Sequence, residues 1–211
     1  MSFSGFIYIT LALLLSVQSV ASEIPDFVEC ERVLRPASIS DRDFVVALSL
    51  SPQVNEMANT TPSTEEELIQ SYPKRAGLEN DNPDATFLPF RKIIWDETKG
   101  VRVGTIGGFI GLDEVTRQKK DMLLGYNIAP SYWGQGWASW ALQTLVDESI
   151  QQGIEYFYTA VTTSNVASIR VLEKAGFKDS GHTVTAEEQG IVPLRDEIYR
   201  VYVLDLRSAS L

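Results

Sequence analysis

The sequence predicts a single mixed α+β domain, with helices packed on strands that are mostly antiparallel. Three observations predict it. Apolar and β-branched residues dominate short runs through the middle of the chain. Apolar residues recur at helical spacing in a stretch that follows a glycine-rich turn. The elements come in the order β, two helices, several hairpin-type strands, then β-α-β-α-β-β, and no repeat or long linker divides the 211 residues.

Residues 31–36, ERVLRP, read as a short strand stopped by Pro36. Ser40 and Asp41 then offer polar caps to a helix over 44–50, which Pro52 is expected to end. Pro62, Ser63 and Thr64 precede Glu65, Glu66 and Glu67, so a second helix starts there with acidic residues in its first turn and reaches about Ala76. Residues 77–85 are rich in Gly, Asn, Asp and Pro and read as a loop. Strands follow over 90–96 and 102–110, joined by a hairpin turn at 97–100, and over 122–128, closed by Pro130. Ala138, Ala141, Leu142, Leu145 and Val146 mark a helix to Gln152, with Gly153 at its end. A strand over 154–161, a helix over 165–175 stopped by Gly176, and strands over 177–185 and 197–206 complete the domain.

The chain is 44% hydrophobic, enough for a core, and 22% charged. It carries 18 Lys and Arg against 28 Asp and Glu, and no charged side chain precedes Glu23. So acidic a domain is a poor nucleic-acid binder and attracts cationic partners such as amines. One cysteine, Cys30, makes no internal disulfide and no cysteine zinc site, and one histidine, His182, excludes a His-rich metal site. No metal is expected.

Residues 6–17, FIYITLALLLSV, form an uncharged apolar run, followed by Ser19, Val20 and Ala21 and then a polar stretch. The run is shorter than the roughly 20 residues of a membrane-spanning helix. Small residues before a polar turn suit a signal-peptide cleavage site, although the start lacks Lys and Arg. An uncleaved anchor and a mis-assigned start are the alternatives, and membrane contact is expected only from an uncleaved segment. Residues 1–22 are therefore set apart from a domain spanning 23–211. Asn59-Thr60-Thr61 is a glycosylation sequon, a pattern that often arises by chance.

The most informative segment is 125–141, GYNIAPSYWGQGWASWA, a strand that turns through Gly134 and Gly136 straight into a helix. Glycines let a ligand approach the backbone closely. The first turn of a helix presents unpaired N–H groups and the positive end of its dipole, so together they make an anion cradle suited to a pyrophosphate, with no basic side chain in the segment. The pattern lacks the Gly-Lys-Ser/Thr of a Walker loop and the third glycine of a dinucleotide fingerprint. Read alone, it fits equally a tight βα turn with no ligand. In the second segment, 162–177, TTSNVASIRVLEKAGF, Asn165 and Ser168 stand at the mouth of a helix, where they can cap it or face a ligand.

Together these segments resemble the GNAT superfamily of N-acetyltransferases, and more closely the branch of the ribosomal-protein-alanine acetyltransferases. The similarity rests on Gly125-Tyr126, on Tyr132-Trp133-Gly134-Gln135-Gly136-Trp137-Ala138, and on Asn165, Ser168, Arg170, Leu172, Lys174 and Gly176-Phe177, and it covers about residues 29–206. The resemblance implies a mostly antiparallel twisted sheet, splayed between strands four and five and flanked by about four helices. It implies acetyl-CoA as co-substrate, with its pantetheine arm along Asn127, Ile128 and Ala129. Its pyrophosphate would lie on the amides of Gln135, Gly136, Trp137, Ala138 and Ser139, with Trp133 and Gly134 also among the cofactor-binding residues. Asn165 would contact the cofactor arm, and Ser168 would lie near the thioester sulfur. Both are the candidate catalytic residues, Ser168 as the group returning a proton to the leaving thiolate.

The chain departs from the superfamily at three points. Trp133 stands where Arg or Gln is usual, Met122, Leu123 and Leu124 where many members carry a Glu base, and Leu172 where many carry a Tyr acid. The implied reaction is attack by a neutral amine on the thioester, with a backbone N–H of strand four stabilising the developing oxyanion. The acceptor, a protein N-terminus or a small-molecule amine, faces segments around 52–85 and 186–196. Two other classes fit the residues: a degenerate acyl-CoA-binding module, and a secreted interaction protein. The apolar start points to the secretory pathway and an acetyl-CoA requirement to the cytoplasm.

Overall fold

The computed structural model describes residues 30–79, 82 and 84–207, so the apolar start at 1–22 lies outside the described residues. Seven strands form one sheet in the order β1-β2-β3-β4-β5-β7-β6, antiparallel except where β4 meets β5. They are β1 (Arg32–Pro36), β2 (Phe87–Asp96), β3 (Val101–Leu112), β4 (Lys119–Ile128), β5 (Tyr156–Thr162), β6 (Lys178–Val184) and β7 (Tyr199–Asp205). Five helices flank the sheet: α1 (Arg42–Leu50), α2 (Pro52–Ala58), α3 (Glu65–Arg75), α4 (Trp137–Ile150) and α5 (Val166–Lys174).

One helix differs from the sequence-based expectation. Pro52 does not simply end α1; it opens α2 at the first helical position, where its missing N–H costs nothing. Ser51 turns the chain between the two helices and caps α2, accepting from Val54 N at 3.5 Å. Thr64 and Glu67 form the reciprocal cap of α3, as the run of acidic residues suggests. Pro89 is tolerated in β2 because β1 pairs only with residues 92–96, which leaves that end of β2 at an edge.

Alternation along the strands divides the core in two. Ile94, Ile106, Met122, Leu124 and Phe157 pack with α4 and α5 on one face. Ile93 packs with Val45 of α1 and with Tyr72 and Ala76 at α3 on the other. Burying these side chains supplies the main stabilisation, about 1.5–3 kcal/mol for each large apolar group.

Two polar knots fix the helices to the sheet. Asp41, fully buried, accepts from Arg35 at 2.7 and 2.8 Å, from Arg102 at 2.7 Å and from Ser38 N at 2.8 Å. Burial alone would raise its carboxyl pKa, but the hydrogen bonds from Arg35, Arg102 and Ser38 outweigh burial and hold it well below the usual range. Asn59, also fully buried, ends α2 in the left-handed conformation at φ 54°. Its amide donates to Arg195 O at 3.0 Å and Tyr199 Oη at 3.3 Å and accepts from Arg195 N at 2.8 Å. The asparagine of the sequon is thus enclosed, and the folded domain presents no glycan acceptor there.

Asp41→Asn should lower stability by about 3 kcal/mol, because two arginines lose their shared anion. The sign with pH is fixed by the depressed pKa. Asp41 stabilises the fold fully above the ordinary carboxylate range, and that contribution is lost progressively as pH falls below that range towards its depressed pKa. Thermal denaturation of both proteins between pH 3 and 7 should show the difference shrinking towards acid; a constant difference would remove the ion-pair account.

Candidate active site

The parting of β4 from β5 creates the site. Only Asp121, Met122 and Leu123 pair with Tyr156, Phe157 and Tyr158. Beyond them β4 stays in register with β3 up to Ile128, and β5 stays in register with β7 up to Thr162, so each strand is held from its outer side. Ala129 N donates to Val103 O at 2.9 Å. In an alternating antiparallel ladder this also turns the main-chain groups of Asn127 towards β3 and leaves those of Tyr126 and Ile128 facing the gap. The indole Nε1 of Trp133 donates to Ile128 O at 2.7 Å. Trp133 therefore anchors the turn to the open strand edge.

The turn itself is shaped by two left-handed glycines, Gly134 at φ 73° and Gly136 at φ 79°. A Cβ at Gly134 would meet nothing within 4 Å, so the space above it is open. Gly136 is the N-cap of α4 and has no side chain to bond the amides that follow, which remain available with the helix dipole behind them. Trp137 is buried, edge-on to Tyr132 at 6.3 Å and to Trp140 at 6.2 Å, so only its main chain can serve a ligand. A cation does approach the turn, from β1. Arg32 donates to Gln135 O at 3.2 Å, and its guanidinium lies 4.7 Å from the centre of the Trp137 ring.

Two pockets meet at the gap. The first, of about 450 Å³, lies on the α4 and α5 side. All the residues expected to hold the cofactor line it except Ala129 and Gln135. Ala129 spends its amide on β3, and Gln135 binds Ser131 O with its side chain. Val54, Met57 and Ala58 of α2 form a wall that the sequence reading did not foresee.

The second pocket, of about 320 Å³, opens on the other face of the sheet. Arg91, Gly107 and Gly125 lie side by side across β2, β3 and β4 and form its floor. Thr60 and Ile191 come from the two segments expected to face the acceptor. Ala58, Tyr126, Asn127, Asn165 and Ser168 border both pockets.

At that seam the Tyr126 hydroxyl lies 2.9 Å from Ser168 Oγ. Burial pushes the Tyr126 phenol up to about 12, against a smaller opposing effect of the Ser168 hydrogen bond, so it is protonated at neutral pH. Asn165 caps α5: Oδ1 accepts from Ser168 N at 3.0 Å and Nδ2 donates to Met57 O at 2.9 Å. It thereby sets the position of Ser168 and ties α2 to α5. Leu172, Met122 and Leu124 are all core. Neither pocket is lined by a carboxylate among the described residues, and no cluster there could hold a metal ion.

Residues 32–178 match the family model of the GNAT acetyltransferase domain. The uncharacterized N-acetyltransferase YoaA of Bacillus subtilis is 27% identical over 116 residues, which are 51% of this chain and 66% of that protein. The chain thus spans just under two thirds of that relative. The uncharacterized N-acetyltransferase p20 of Bacillus licheniformis is 28% identical over 149 residues, 70% of this chain and 79% of that protein. Among solved structures, the spermidine N-acetyltransferase of Vibrio cholerae in complex with CoA and spermine superposes with a TM-score of 0.64 at 18% identity, covering 83% of this chain and 96% of that one. That likeness concerns the fold. The family match spans well over half of the chain, and the chain belongs to the GNAT acetyltransferase family.

Proposed function

We propose that the protein transfers an acetyl group from acetyl-CoA to a primary amine by direct attack of the amine. The observation that supports this most is the pair of pockets on opposite faces of the sheet, joined through the parted strands at Tyr126 and Ser168. Two reactants entering from opposite sides meet there, and holding them in place contributes about 7–11 kcal/mol of barrier reduction in well-oriented systems.

The groove on the α4 side fits the co-substrate by its chemistry. The uncapped amides at 137–139 hold a diphosphate, and the open main-chain edge of Tyr126 and Ile128 holds an amide-bearing arm. Acetyl-CoA supplies an acetyl group activated as a thioester. The N–H groups on the open edge of β4 polarise a carbonyl laid against them. Ser168, polarised by the protonated Tyr126, returns a proton to the departing sulfur. The turn's similarity to the ribosomal-protein-alanine branch favours an α-amine as acceptor. Such an amine, with a pKa near 8, sheds its proton more readily than a lysine near 10.4.

Four outcomes test this reading. Acetyl-CoA should bind the full chain in calorimetry and release thiol only when an amine is added; no heat and no thermal shift would end the assignment. Gly136→Ala, which forces a Cβ onto φ 79° at a cost of about 1–2 kcal/mol, should weaken coenzyme A binding more than it lowers the melting temperature. Ser168→Ala should lower kcat by about 100-fold with little change in KM, and Tyr126→Phe by less. Because Tyr126 titrates near 12, the rise of rate with pH should follow the acceptor amine and be unchanged in Tyr126→Phe.

A further inference from the structure

The pocket on the acceptor side holds one charged side chain among its lining residues, and it is a cation, Arg91. Its Nη1 donates to Thr105 Oγ1 at 3.2 Å, while its Nε is buried and makes no hydrogen bond. No carboxylate pairs with it among the described residues. Burial pushes its pKa down, Tyr72 offsets that in part, and nearby Arg75 adds to it. A partly enclosed guanidinium with no carboxylate partner costs stability. The floor beside it is bare: Gly107 and Gly125 stand directly in register with it, and a Cβ at Gly125 would meet nothing within 4 Å. The space between the Arg91 fork and the seam is therefore kept clear of side chains.

We propose that the acceptor is a small amine that carries its own oxyanion, a carboxylate above all, and that Arg91 holds that group while the amine points to Ser168. This rests on the acetyl-transfer reading. The planar fork of an arginine matches a carboxylate in two parallel bonds. Arg91 lies two strand spacings of about 4.8 Å from Gly125, so the acceptor is short, with a few bonds between anion and nitrogen. A polycation such as a polyamine meets no counter-charge on this lining and one like charge.

The test compares matched amines on the full chain with saturating acetyl-CoA: methionine with methioninamide, β-alanine with propylamine, aminomethylphosphonate as a second oxyanion, and spermidine. The oxyanion-bearing member of each pair should be favoured by about 100-fold in kcat/KM, the discrimination of a bidentate contact. Arg91→Met should erase the preference, leave coenzyme A affinity unchanged and raise the melting temperature, because a buried unpaired charge is gone. Arg91→Lys should restore only part of it.

Calorimetry in the presence of coenzyme A adds a readout free of turnover. N-acetylmethionine should bind the native chain and not Arg91→Met, and its N-methylamide should bind neither. Preference for propylamine or spermidine, or a carboxylate preference that survives Arg91→Met, overturns the proposal while acetyl transfer stands. Failure of coenzyme A itself to bind overturns both.

Discussion

The separation of β4 from β5 is the constraint on which the site depends. A sheet ordinarily satisfies main-chain groups by pairing them, and leaving one strand edge unpaired inside a protein is costly. Here the cost is contained because each strand is fastened on its far side, β4 by β3 and β5 by β7. The indole of Trp133 takes one of the exposed carbonyls. What remains is a short edge of main chain with nothing across it, directly above the start of α4. Both pockets and the seam between them follow from that opening.

Electrostatics inside the site differ from those of the chain as a whole. The formal net charge is −10, yet no carboxylate lines either pocket among the described residues. The groups proposed to bind anions are main-chain amides on one face and a single guanidinium on the other. Arg32 supports the turn by bonding Gln135 O and covering Trp137, so it acts on the shape of the cradle. The overall acidity that suggests cationic partners describes the outer surface and says little about what the interior recognises.

Much of this was legible in the sequence because it is local. The helix after Gly136, the cap at Asn165 and the strands on either side depend on residues within one or two turns of one another, and periodicity reports them. The helix over Pro52–Ala58 was hidden because a proline after an apolar helix reads as a stop, and only the Ser51 turn shows that it begins a new one. Arg91 was hidden because a charged residue in an alternating strand is ordinarily the solvent-facing partner of the pattern. Tyr126 and Ser168 are 42 residues apart, and nothing short of the sheet's parting brings them together. Asn165 was read correctly as a polar group at a helix mouth, and the structure shows both ends of its amide engaged in holding α5 and α2.

The knot at Asn59 ties together more than two segments of chain. It fastens the end of α2 to the connection between β6 and β7, while α2 walls the pocket on the α4 side with Val54 and Met57 and reaches the pocket on the opposite face with Ala58. One helix therefore borders both pockets. Loosening the Asn59 knot would therefore disturb the linings of both pockets at once.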